Sequence, residues 1–76
     1  MRINDDTTVL GYNIRSLRNY YKISAQKLAE DINVNKDTVL RWERGEIFPS
    51  AGEIESMVSY FNVPKDLLLN VVLKTK

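Results

Sequence analysis

The 76-residue chain contains neither cysteine nor histidine. Disulfides are therefore excluded, the usual transition-metal ligand sets are missing, and the core must hold without staples. The same two absences remove the commonest thiol nucleophile and the commonest proton carrier of enzymes. The three glycines form no phosphate-cradling loop and no carboxylate pair marks an evident cleft, so catalytic chemistry lacks equipment. The composition points to a non-enzyme with no cofactor, metal or small-molecule ligand. No apolar run approaches the roughly 20 residues that a membrane helix needs. The opening MRINDDTTVLGYN is polar and acidic, without the apolar segment of a secretory signal. A soluble, cytoplasmic chain is the expectation.

What is present is enough for a single core. One domain is expected over residues 1–76, with its core over 8–69 and a tail or dimerisation segment over 70–76. Net charge is only +1, but it is unevenly placed. Residues 15–44 hold seven basic groups against four acidic ones, a balance of +3, whereas residues 45–66 hold one against four, a balance of −3. Such polarity suits a one-faced binder of polyanions. Lys and Arg that merely solvate helix surfaces give the same totals.

Apolar spacing is helical throughout, and an all-α fold of five helices follows. Leu10, Ile14, Leu17 and Tyr21 recur at intervals of four, three and four, which predicts a helix from about Thr8 to Tyr21 capped by Thr7 or Thr8. Ser24 is placed to cap a second helix. Lys27 stands where a capping box would want Glu or Gln, so the cap is expected to be simple. Asn33 suits a left-handed turn residue, Asn35 a cap for a third helix over about Lys36 to Arg44, and Gly45 its terminator. Phe48 precedes proline, so EIFPS reads as extended. Ser50 and Glu53 have capping-box spacing and open a fourth helix whose core face is Ile54, Met57, Val58 and Phe61. Pro64 opens a fifth, with Leu67, Leu68 and Leu69 directed inward.

The stretch SAQKLAEDINVNKDTVLRWERG, from Ser24 to Gly45, is two short helical patterns around a tight turn. Leu28, Ala29 and Ile32 share one face of the first, and Val39 and Trp42 one face of the second. The small Ala29 lets the two cross steeply, the layout of a helix-turn-helix, which lodges its second helix in the major groove of DNA.

Further matches extend this picture. IRSLR at 14–18, S-x-x-x-LA at 24–29, V-N-x-x-T-V-x-x-WE-x-G at 34–45, Pro49-Ser50 and V-P-x-D-LL at 63–68 together resemble the five-helix DNA-binding domain of the phage Cro and lambda-type repressor (XRE) family. The resemblance covers about Gly11 to Leu68. It implies a recognition helix at Lys36–Arg44, with Lys36 and Asp37, then Arg41 one turn on, meeting base edges. Lys and Arg can donate to guanine, and Asp can accept from cytosine N4. Leu40 either meets a thymine methyl or makes a marginal contact with the protein's own core. Phosphate contacts are expected from Ser24, Ala25, Gln26, Asn35, Thr38 and Arg44. Where family members have Gln directly after the cap and a basic residue after the glycine, this chain has Ala25 and Glu46. The phosphate clamp is thus lost or shifted, and Glu46 repels phosphate. The resemblance also implies a structural ion pair between Arg18 and Glu43, and a buried Trp42. Tyr12, Tyr20 and Tyr60 suit either a phosphate hydrogen bond or a half-buried place.

In LLLNVVLKTK the apolar residues exceed what one short helix buries. Leu69, Val71, Val72 and Leu73 therefore suggest a partner surface. A symmetric homodimer is expected, placing two recognition helices about 34 Å apart on a palindromic operator. Its segment takes the form of an extended fifth helix or of a strand over 70–73, unless these residues are the cut end of a longer regulator. The implied role is a transcriptional regulator, most simply a repressor, in a prokaryotic cell or a phage-infected host. The alternative is a protein-interaction module on the same fold, antitoxin-like or polymerase-binding, which Ala25, Asp37, Glu46 and the low net charge favour.

Overall fold

A computed structural model describes residues 6–73. It is all-helical: α1 (Asp6–Tyr21), α2 (Ala25–Ile32), α3 (Lys36–Arg44), α4 (Ala51–Phe61) and α5 (Lys65–Asn70), with no strand among the described residues. Helix α1 packs against α3 and α5, α2 against α3 and α4, and α4 against α5. No described helix is long and apolar enough to cross a membrane.

The short connections follow one local rule. Lys22, Asn33, Gly45 and Asn62 each take left-handed backbone, with φ of 59°, 65°, 76° and 57°. After α1, α2 and α3 the chain closes with paired bonds back to the last turn, as in Ile23 N–H to the Arg18 carbonyl (3.0 Å) and Val34 N–H to that of Ala29 (2.9 Å). Three of the residues that follow the left-handed position, Ile23, Val34 and Val63, pack against the core. Each directly precedes the next helix's cap: Ser24, Asn35 or Pro64. One apolar side chain thus fastens the end of one helix and the start of the next.

Capping bears out part of the sequence reading. The Ser24 hydroxyl accepts from Lys27 N–H, and Ser50 and Glu53 form a complete capping box. Asn35 occupies the cap position of α3 but makes no side-chain cap bond, contrary to expectation. Helix α1 begins at Asp6, so Thr7 and Thr8 lie within it and neither is its cap. At Lys22 a residue without glycine's freedom takes the left-handed position, at a cost of about 1 kcal/mol.

Leu10, Ile14, Leu17, Leu28, Ala29, Val39, Trp42, Ile54, Met57, Phe61 and Leu68 form the core, joined by Ala25. Gly11 marks where α1 meets α3. A Cβ there would collide with the Trp42 carbonyl oxygen and lie 2.8 Å from that of Glu43. Of the three leucines expected inward on α5, Leu68 is buried and Leu69 partly so, but Leu67 is exposed. The six residues of α5 make less than two turns, which directs one leucine fully into the core.

Candidate nucleic-acid interface

Helices α1 and α2 hold α3 in the domain. Val39 and Trp42, at 0% and 1% exposure, anchor its inner face, and Leu40 packs against the core from the edge. Arg18 forks onto Glu43, Nε to Oε2 at 2.6 Å and Nη2 to Oε1 at 3.0 Å, while its Nη1 donates to the Ile23 carbonyl at 3.1 Å. A single guanidinium therefore ties α1, the turn leading into α2, and α3. The carboxylate of Glu43 hydrogen-bonded to Arg18 raises the arginine's pKa further above its already high value.

With its inner face fixed, α3 turns Lys36, Asp37, Arg41 and Arg44 to solvent. Arg41 Nε donates to Asp37 Oδ2 at 2.9 Å, and Arg44 Nε to Glu46 Oε2 at 2.8 Å. That second contact raises the Arg44 pKa and lowers that of Glu46, the hydrogen bond between them being the main cause. Glu46 thus occupies the arginine nearest it. Lys36 pairs with no acid among the described residues.

The expected phosphate set divides. Ser24 and Asn35 are exposed and Thr38 is half-buried. Ala25 has its side chain in the core, so what it can offer an anion is its backbone N–H. Gln26 Nε2 donates to Glu30 Oε2 at 2.7 Å, an intrahelical bond that any anion would have to displace. Tyr12 and Tyr20 are exposed. Tyr60 is instead committed to the protein, donating to Asp31 Oδ2 at 2.6 Å, with Lys27 on the other oxygen at 3.3 Å. This contact pushes the Tyr60 pKa up to about 12 and lowers that of Asp31, chiefly through the hydrogen bond itself.

Asn13 is a residue the sequence reading missed. Wholly buried on α1, it donates through Nδ2 to the carbonyls of Leu68 and Val71, both at 2.8 Å, and accepts at Oδ1 from Leu73 N–H at 2.7 Å. Its signal is an asparagine one position before Ile14 in the apolar stripe. Helix α5 ends at Asn70, so it does not extend as one form of the dimer segment required. Val71 is extended, at φ −116° and ψ 124°. Leu69 and Leu73 pack against their own core, whereas Val71 and Val72 are 45% and 47% exposed. Residues 74–76 of the expected tail lie outside the described ones.

Two helices joined by a tight turn, the second anchored on one face and open on the other, define the helix-turn-helix class of DNA-binding domain. A family model described as a helix-turn-helix domain matches residues 9–70, and the chain belongs to that family. This agrees with its resemblance to Cro and lambda-type repressor domains. No curated protein and no solved structure matches the chain.

Proposed function

We propose that the chain is a sequence-specific double-stranded DNA-binding transcriptional regulator, most simply a repressor that occupies a palindromic operator through the major groove. One observation carries the reading: the four polar residues Lys36, Asp37, Arg41 and Arg44 stand exposed on α3 while Val39 and Trp42 lock its other face into the core. Lys36, Asp37 and Arg41, with Leu40 at the margin, are the base-facing set. The N-terminus of α2 at Ser24 and Ala25, with Gln26, Asn35, Thr38 and Arg44, is the phosphate set. The missing cap bond of Asn35 supports its place there, because its side-chain amide is not spent on the helix. Exposed Val71 and Val72 support a homodimer through the C-terminal segment.

A protein partner is the second reading. It is favoured by Ile47 and Phe48, which follow Glu46 beside the end of α3 and are 39% and 48% exposed. Salt separates the two. Each phosphate neutralised contributes about −0.9 to the slope of log affinity against log salt, so duplex binding must weaken steeply, whereas an apolar protein contact must not. Arg44→Ala is expected to weaken binding to every duplex and reduce that slope, and Lys36→Ala to relax base preference with the fold intact. Duplex affinity independent of salt, or unchanged by both substitutions, overturns the proposal.

A further inference from the structure

Asp37 and Arg41 lie one turn apart on the open face of α3, 68% and 50% exposed in their side chains. An exposed pair of this spacing stabilises a helix little, so its geometry matters more than its energy. A guanidinium carries five N–H donors in a rigid fork. The Nε–H of Arg41 is committed to Asp37 Oδ2 at 2.9 Å, leaving the four donors of Nη1 and Nη2 at the end of the fork. Two parallel bonds from that end match O6 and N7 of guanine. A side-on approach through Nε is closed.

We infer that Asp37 is a positioning residue, which holds Arg41 end-on for a single guanine in the half-site. The inference rests on the DNA-reading role proposed above for α3. Two opposed effects follow. Holding a long side chain before binding lessens the ordering cost of the contact and sharpens discrimination. A carboxylate on a DNA-facing surface also repels phosphate, lowering affinity for every sequence. Asp37 therefore trades general affinity for selectivity, whereas a carboxylate that only supported the helix would repel phosphate without affecting the guanine preference.

The test uses the duplex half-site recovered from a random pool with the unaltered protein, with each base pair then replaced in turn. Arg41→Ala is expected to lose about 5- to 100-fold of preference for guanine at one position. Asp37→Ala loses about 2- to 10-fold at that same position and binds random duplex more tightly. Asp37→Glu, whose carboxylate still reaches a residue four further on, retains the preference. The double variant is no worse than Arg41→Ala alone. The inference is overturned if Asp37→Ala leaves the guanine preference intact, alters a different base pair, or adds its loss to that of Arg41→Ala. Recovery of no preferred duplex by the unaltered protein would overturn the DNA-reading role as well, whereas a recovered site indifferent to Asp37 would overturn this inference alone.

Discussion

Arg18 and Glu43, twenty-five positions apart in sequence, meet through a two-pronged contact that sets α3 against α1. Their side chains are only 14% and 7% exposed, so removing either strands the other in a poorly solvated place. Arg18→Ala or Glu43→Ala is expected to lower unfolding free energy by about 3 kcal/mol, the low end for breaking a buried pair. An apolar replacement of both, Arg18→Met with Glu43→Leu, should recover most of that loss, as urea titration would report. A loss in the double variant equal to the sum of the two single losses would contradict the pairing.

Asn13 is expected to matter as much for the end of the domain. Asn13→Leu fills a similar volume but leaves the carbonyls of Leu68 and Val71 and the N–H of Leu73 without their partner. A loss of about 2–3 kcal/mol follows from abandoning buried polar groups. Amide exchange at Leu73 should accelerate more than exchange in α2. Uniform acceleration across the chain would argue against a local latch.

The Tyr60–Asp31 contact predicts a pH signature. Asp31 has its pKa lowered from the ordinary 3.8, so its contribution is present above that value and lost as pH falls through the lower, folded one. Tyr60 has its pKa raised from 10.0 to about 12, so between these values the unfolded chain has released a proton that the folded one keeps, and stability falls as pH rises. The stability difference between the unaltered protein and Tyr60→Phe should therefore be flat from about pH 4 to 10 and shrink outside that range. Thermal melts across pH would reveal it, and a difference independent of pH would refute it.

Much of this architecture was legible because burial is written locally. Periodic apolar residues marked α1 to α4, and Ser24, Asn33, Gly45 and the Ser50–Glu53 pair have jobs fulfilled within a few residues of themselves. The Arg18–Glu43 contact was expected through family resemblance. Asn13 was not, because its partners lie 55 to 60 positions away and no local pattern announces them. Gly11 likewise owes its role to a neighbouring helix. Asp37 and Arg41 have the spacing of an ion pair, and the bond between them is one that four-residue helical spacing allows. Leu67 was misjudged because α5 is too short to bury three successive leucines.

Glu46 offers a prediction of opposite sign to most. It occupies Arg44 and adds negative charge beside α3. Glu46→Gln should tighten binding to all duplexes by about 2- to 5-fold at low salt, with little change in base preference. Fluorescence anisotropy with specific and scrambled duplexes measures both. Weaker binding to either would contradict the assigned role.

The most direct test of the reading-helix claim is selection from a random duplex pool in dilute salt, with the unaltered protein and with Lys36→Ala/Arg41→Ala beside it. The account predicts an enriched inverted repeat, its half-sites about 34 Å apart between centres, that the double variant no longer selects although it remains folded. No enrichment by the unaltered protein, or the same enriched site with both side chains removed, would contradict it.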